Sequence, residues 1–129
     1  MLQIKDLCCG YGDMTVIRDI NFKLEEGGTL ALVGSNGAGK TTLLMSLASH
    51  IIPKSGQVRL NGVDLVDKEP ETRCGLGVGL VPEGRRIFPD LSVFENLVVG
   101  GYSRPSNNQS ESMARVFEVF PRLFDRKNQ

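Results

Sequence analysis

A glycine-rich stretch from Gly34 to Thr41, with the sequence GSNGAGKT, constrains this chain more than any other feature. An apolar run, Leu30 to Val33, precedes it, and leucines at helical spacing follow it. A strand, a glycine-rich turn and a helix in this order form the context in which a phosphate-binding loop occurs. The sequence therefore predicts a site for a nucleoside triphosphate, with a glycine-rich structural turn as the alternative.

Each residue type in this loop has a chemical task. Glycines let the backbone curl until several N–H groups point at one phosphate, and the helix that follows adds the positive end of its dipole. Lys40 supplies a mobile positive charge for the β- and γ-phosphates, and the Thr41 hydroxyl is predicted to ligate Mg²⁺. Thr42 is predicted to assist at the α-phosphate, although a first-turn threonine can instead bond to its own helix. The predicted nucleotide-binding residues of the loop are Gly34, Ser35, Asn36, Gly37, Ala38, Gly39, Lys40, Thr41 and Thr42.

The composition is that of an ordinary soluble domain. The chain has 129 residues, 40% of them hydrophobic and 23% charged, which suffices for one buried core. Fifteen acidic and fifteen basic residues cancel, so bulk charge gives no support for a nucleic-acid partner. No charged leader with an apolar core and no run of about 20 apolar residues are visible, so we expect a cytosolic chain. Cys8, Cys9 and Cys74 lack zinc spacing, which favours reduced, partly buried thiols.

The hydropathy pattern also predicts the order of the elements. These are strands at 2–7 and 16–24, a strand at 29–33 covered on both faces, a helix at about 39–49, strands at 57–60 and 63–65, a helical turn at 70–73 and an apolar strand at 78–81. Asn61-Gly62 is a strong hairpin signal. Ser92 and Glu95 form a capping-box signature for a helix over Val93 to Val99. After a polar, loop-like segment at 103–109, apolar residues at helical spacing predict a last helix that Pro121 closes.

Together these features resemble the nucleotide-binding subunit of ABC transporters. The phosphate loop, the NGVDL hairpin and the string VPEGRRIFPDLSVFENL occur in the order that the family shows, and that string is most similar to the branched-chain amino acid importers. The resemblance implies an α/β fold of the P-loop NTPase class, with an ABC-type ATPase core and an N-terminal antiparallel β-subdomain. The β-subdomain and the P-loop part of the core would cover about residues 1–91, and the start of a helical subdomain about 92–129.

The resemblance implies roles for two residues outside the loop. Tyr11 matches the aromatic residue that stacks on adenine, with an ordinary turn tyrosine as the alternative. Glu83 stands where most of the family has glutamine, in the loop that contacts Mg²⁺ and the attacking water, and a solvated loop glutamate is its alternative. Glu83 is therefore a second candidate beside Lys40 for the catalytic role, and a candidate metal ligand through water. Its carboxylate would add a charge beside the γ-phosphate that an amide lacks.

Four neighbouring residues suggest a contact with a membrane partner. Arg85, Arg86, Ile87 and Phe88 match the patch that receives a coupling helix in the family; the alternative is that the arginines are solvated surface and the apolar pair is core. The resemblance also implies ATP and Mg²⁺ as ligands, transmembrane permease subunits and a second ATPase subunit as partners, and a place on the inner face of the cell membrane. The expected function is to energise uptake of branched-chain amino acids.

In the family, the second half of the domain carries the LSGGQ-type signature, the acidic Walker B strand, the catalytic glutamate and the switch histidine. None of these has a counterpart in this sequence. We therefore expect a truncated form that stops before the signature motif, has no hydrolytic activity alone, and exposes strand edges and apolar faces. Two alternatives stay open: a P-loop kinase or GTPase, against which the absence of an Asn-Lys-x-Asp string argues, and a non-catalytic remnant that binds nucleotide weakly or not at all.

Overall fold

The fold is that of a computed structural model in which residues 1–84, 86–102 and 108–129 are described. These residues form two compact units, 1–80 and 81–129, and each is described by itself. The expectations for Arg85 and for most of the polar segment at 103–109 fall outside the described residues.

An antiparallel sheet dominates the first unit. Its strands are β1 (Leu2–Tyr11), β2 (Met14–Leu24), β3 (Ser55–Leu60) and β4 (Val63–Asp64), in the spatial order β2-β1-β3-β4. The central strand β1 pairs with β2 on one side and with β3 on the other. The predicted antiparallel strands are thereby confirmed, and the first two are longer than their alternating patterns suggested.

The core of this unit lies between the sheet and the helix α1 (Lys40–Leu47). Ile4, Leu7 and Cys9 of β1 point inward, with an irregularity of the strand between Ile4 and Leu7, and Leu43 of α1 packs in the same cluster. Burying one such aliphatic side chain stabilises the fold by about 1.5–3 kcal/mol. The buried cluster consists of Ile4, Leu7, Cys9, Ile17, Leu43, Val58 and Leu65.

The hairpin signal at Asn61-Gly62 is also confirmed. Both residues have positive φ angles, 49° and 83°, as a tight two-residue turn between antiparallel strands requires. Past β4 the backbone stays bonded to β3, because the Leu65 N–H donates to the Val58 carbonyl at 2.8 Å. A short helix, α2 (Pro70–Gly75), follows with Pro70 in its first turn and extends beyond the single turn expected at 70–73.

The strands predicted at 29–33 and 78–81 are wrong: neither segment contributes a strand to the described residues. An apolar run signals that side chains need covering, but a strand forms only where a neighbouring strand offers its N–H and C=O groups. Both sides of β1 are already occupied, and in the part of the chain that the structure describes no further strand pairs with these runs. Val33 is 94% exposed and Val81 is 95% exposed.

The second unit is helical, with α3 (Val93–Gly100), α4 (Gln109–Val119) and α5 (Pro121–Asp125). The capping box of α3 is confirmed: the Glu95 N–H donates to Ser92 Oγ at 3.3 Å, and the Ser92 N–H donates to Glu95 Oε2 at 2.8 Å. The expectation that Pro121 closes a helix is confirmed, since α4 ends at Val119 with Phe120 as its C-cap. The pattern did not predict the next helix: Pro121 occupies the first turn of α5, where its missing N–H costs nothing.

Candidate phosphate-binding site

The glycine-rich loop forms an exposed turn at the start of α1. Gly37 and Gly39 have φ angles of 80° and 88°, in the left-handed region that favours glycine. The Ala38 N–H donates to the Ser35 carbonyl at 3.2 Å, which closes the turn. Residues 34–38 are all exposed to solvent, so a ligand can approach the loop from outside.

Gly39 fixes this turn against the sheet. A Cβ atom at this position would lie 2.4 Å from Ile17 Cγ2 and 3.3 Å from Val16 Cγ1, so only a glycine allows the backbone to lie so close to β2. Gly39 is also the N-cap of α1, and it has no side chain with which to cap the helix. The first N–H groups of α1 have no intrahelical partner. The loop therefore presents N–H donors and the positive end of a helix dipole on a rigid support.

Lys40 folds back across the loop. Its Nζ donates to the Gly34 carbonyl at 2.9 Å and to the Ser35 carbonyl at 2.7 Å. An ammonium group carries three donors, so one remains for a ligand while the other two hold the loop. The structure thus places the Lys40 ammonium beside the carbonyls of Gly34 and Ser35, at the start of the loop.

The two threonines differ in exposure. Thr41 is exposed beside the loop, where its hydroxyl is accessible to a metal ion, whereas Thr42 is only 5% exposed and faces the interior. The metal role of Thr41 and the phosphate role of Thr42 stay predictions.

Tyr11 lies at the same end of the β1–β2 hairpin as the loop. It is the last residue of β1, is 55% exposed, and pairs with Met14. Ile17, which touches Gly39, lies three residues further along β2 and pairs with Cys9. At about 3.3 Å per strand residue, Tyr11 and the contact between β2 and the loop are therefore separated by about 10 Å along the strand.

Glu83 belongs to the second unit and is exposed. Its backbone carbonyl accepts a hydrogen bond from Arg86 Nε at 3.3 Å. Ile87 and Phe88, which follow, are also exposed, so they are not core residues of this unit. The catalytic and metal roles of Glu83 stay predictions.

Sequence reasoning missed the structural role of Arg73. Its side chain is 1% exposed, and its guanidinium donates to the carbonyls of Ser46, Leu47, Val66 and Lys68 at 2.7, 2.8, 3.1 and 3.0 Å. Burial lowers the pKa of the guanidinium from its usual value, and the nearby charge of Asp64 opposes that shift. A local sequence pattern does not predict a buried arginine of this kind, because its hydrogen-bond partners lie up to 27 positions away in the sequence.

Sequence reasoning also missed Asn96. Its side-chain amide donates to the carbonyls of Phe88 and Leu91 at 3.1 and 3.0 Å, and its Oδ1 accepts from the Phe88 N–H at 2.9 Å. This one residue of α3 therefore fixes the loop that carries Ile87 and Phe88. The only signal in the sequence is an asparagine on a helix whose other face is apolar.

Within the described residues, no three or more His, Cys, Asp and Glu side chains gather into a metal-binding cluster. None of the helices in the described ranges combines the length and hydropathy needed to cross a bilayer.

Comparison with known proteins assigns the family. The family model described as ABC transporter matches residues 17–128, and the chain belongs to that family. A high-affinity branched-chain amino acid transport ATP-binding protein, BraG of Pseudomonas aeruginosa, is 37% identical over 129 residues, which is 100% of this chain and 55% of the relative. A protein from Archaeoglobus fulgidus with a probable assignment to the same transport, LivF, is 32% identical over 95% of this chain and 52% of the relative. The resemblance to the branched-chain type is thereby confirmed.

Other similar proteins are named for the transport of different solutes, and a solved structure confirms the fold. The molybdate/tungstate import ATP-binding protein WtpC of Thermococcus kodakarensis is 42% identical over 65% of this chain and 24% of the relative. A solved structure of an ATP-binding subunit of an ABC transporter superposes with a TM-score of 0.85 at 28% identity, over 99% of this chain and 53% of that one. The chain spans about half the length of the curated relatives BraG and LivF. The predicted fold class, an ABC-type ATPase core with an N-terminal antiparallel sheet, is confirmed.

Proposed function

We propose that this chain binds MgATP through residues 34–42 and Tyr11, as the ATP-binding part of an ABC importer. One observation carries the proposal: Gly39 seats the phosphate loop on β2, the strand whose first residues pair with Tyr11. A single ligand with an aromatic base at one end and phosphates at the other matches that spacing. The family assignment supports the same reading.

The residues present fit a magnesium triphosphate. Loop N–H groups and the start of α1 would hold phosphate oxygens, Lys40 would contact the β- and γ-phosphates, and the Thr41 hydroxyl would ligate the metal. The exposed ring of Tyr11 would stack on adenine, a contact worth about 1–3 kcal/mol in related base-stacking sites. Bound Mg²⁺ supplies charge neutralisation at the phosphate oxygens. The cradle itself is visible as the close approach of Gly39 to Ile17, which a Cβ atom would prevent.

We further propose that the imported solute is a branched-chain amino acid. The supporting observation is that BraG and LivF, which match nearly all of this chain, carry that transport in their names. The partners would be transmembrane permease subunits and a second ATPase subunit, on the inner face of the cell membrane. The exposed side chains of Ile87 and Phe88 form an apolar surface to which a permease could bind, and Asn96 holds the Phe88 backbone in place. The division into a β-subdomain with the P-loop part of the core, at about 1–91, and a helical start, at about 92–129, is part of this proposal.

Hydrolysis is the part of the family's activity that we do not assign to this chain alone. Phosphoryl transfer requires a positioned water and charge neutralisation across the γ-phosphate. Lys40 can contribute the charge, and Glu83 is the candidate for the water. We propose that the 129 residues bind nucleotide without sustained phosphate release, which a colorimetric phosphate assay measures directly.

Nucleotide-dependent thermal unfolding tests the binding proposal. At a hundredfold excess of MgATP over its Kd, an intact site stabilises the native state by about 2.7 kcal/mol. We expect this shift in the natural chain and none in Lys40→Ala, because the variant loses the ammonium that faces the loop. Lys54→Ala, which removes an exposed lysine outside the loop, is the matched control and should keep the full shift.

Three results would contradict the proposal. A larger shift with MgGTP than with MgATP would favour a guanine nucleotide and a different P-loop class. A shift that survives in Lys40→Ala would place the nucleotide elsewhere. No shift at all, in a chain that still unfolds cooperatively, would leave a fold without a working site.

A further inference from the structure

We infer that Arg73 is a positioning residue for the phosphate loop, acting from the far end of α1. The inference rests on the proposed function, since it concerns how that same loop is held. Arg73 touches neither the loop nor any residue assigned to the nucleotide. Its guanidinium contacts the other end of the helix that the loop begins.

The contacts of Arg73 are unusual for a buried cation. Nη1 donates to the carbonyls of Ser46 and Leu47 at 2.7 and 2.8 Å, Nη2 donates to Val66 at 3.1 Å, and Nε donates to Lys68 at 3.0 Å. All four hydrogen-bond acceptors are backbone carbonyls, and none is a carboxylate. A buried charge without a hydrogen-bonded counter-ion needs another source of negative potential.

The carboxyl end of α1 supplies that potential together with the nearby charge of Asp64. The carbonyls of the last turn of a helix have no intrahelical partner and carry the negative end of its dipole. Ser46 and Leu47 are the last two residues of α1. The Ser46 carbonyl also accepts from the Ser49 N–H at 3.2 Å, so Arg73 adds a second donor there and supplies the donor for the Leu47 carbonyl. Arg73 therefore satisfies both the hydrogen-bonding capacity and the electrostatics of the helix end, and the planar guanidinium does so with several donors in fixed directions.

Gly39 and Arg73 hold the two ends of α1 in place. Gly39 seats the first turn on Ile17 and Val16 of β2, and Arg73 ties the last turn to the segment at 66–68. The helix has eight residues and is about 12 Å long. A helix this short behaves as a rigid rod, so movement at its carboxyl end changes where the N–H groups at its amino end point. Phosphate binding depends on those directions, because misplacement by about 1 Å is costly at a preorganised site.

The first test compares Arg73→Lys with a variant that disturbs the same core elsewhere. Lysine keeps the charge but cannot reach four carbonyls in fixed directions. We expect the Kd for MgATP to rise about tenfold in Arg73→Lys, since loop orientation is lost. Leu60→Ala, which shortens a partly buried side chain packed against the core at the Asn61-Gly62 end of β3, should destabilise the fold and leave the Kd unchanged. Both are measured at a temperature where circular dichroism shows a folded chain; an equal Kd in Arg73→Lys and the natural chain would overturn the inference.

The second test needs no variant that folds poorly. Binding effects are reciprocal, so if Arg73 holds the loop in its binding arrangement, MgATP must strengthen the contacts of Arg73. We expect solvent exchange of the Arg73 Nε–H, followed by nitrogen-resolved NMR in the natural chain, to slow when MgATP saturates the site. Unchanged exchange at saturation would show that the two ends are uncoupled and would overturn the inference.

Failure of the proposed function is recognised separately. If the natural chain binds no MgATP, the proposed function fails, and the amide signals of Gly39 and Thr41 in nucleotide-free Arg73→Lys decide the inference. Shifts of those signals that Leu60→Ala does not produce would show that Arg73 positions the loop. Unshifted signals would show that it does not.

Discussion

At the scale of single residues, Gly39 is the position on which the loop geometry depends most. We predict that Gly39→Ala lowers the free energy of unfolding and abolishes MgATP binding. The new Cβ atom meets Ile17 Cγ2 at 2.4 Å, and an alanine with φ near 88° adds a backbone strain of about 1–2 kcal/mol. Denaturant unfolding measures the first effect, and the nucleotide-dependent shift of the thermal midpoint measures the second.

Gly37 provides the control for this prediction. Its φ angle is 80°, close to that of Gly39, but a Cβ atom there would meet nothing within 4 Å. Gly37→Ala should therefore show the backbone strain alone, and the difference between the two variants isolates the cost of lifting the loop from β2. Equal losses of stability in both variants would mean that the loop does not lie against Ile17 as the structure shows.

At the scale of elements, α3 shows how a helix start responds to pH. Hydrogen bonds from the Ser92 hydroxyl and backbone N–H lower the pKa of Glu95 from its usual value. Since the folded pKa is lower than the unfolded one, the stabilisation is fully present above the unfolded pKa and is lost as the pH falls through the folded pKa. We predict that Glu95→Gln weakens the loss of stability as the pH falls through the acidic range, measured by denaturant titrations at several acidic pH values.

The matched control lies at the start of the other long helix of this unit. Glu111 is in the first turn of α4, is exposed, and takes part in no side-chain cap. Glu111→Gln should leave the acid dependence as it is. If the two variants change it equally, the capping box does not account for the acid response. Ser92→Ala, which removes the hydroxyl, should cost about 1 kcal/mol at neutral pH.

Elements with local signals were predictable from the sequence, and elements that depend on distant partners were not. Three features are each determined by a few adjacent residues, so the sequence alone predicts them: the loop glycines, the Asn61-Gly62 turn and the capping box at Ser92. The runs at 29–33 and 78–81 have apolar side chains, which predicts strands. A strand also needs a neighbouring strand to bond with, and the sequence of the run does not determine whether one is present. The role of the Arg73 side chain also depends on distant residues, since its hydrogen-bond partners lie 5 to 27 positions away in the sequence.

At the scale of the whole molecule, exposed apolar residues and a formal net charge of +0 favour self-association. Val33 and Val81 are 94% and 95% exposed, so neither contributes burial that a substitution would remove. We predict that Val33→Thr and Val81→Thr reduce light scattering of the concentrated chain and leave its thermal midpoint unchanged, because threonine has nearly the same shape and replaces one methyl by a hydroxyl.

Val58→Thr makes the same change at a position that is 0% exposed, and it should lower stability by about 1–3 kcal/mol through burial of an unpaired hydroxyl. A loss of stability in Val33→Thr as large as that in Val58→Thr would show that Val33 is packed rather than exposed.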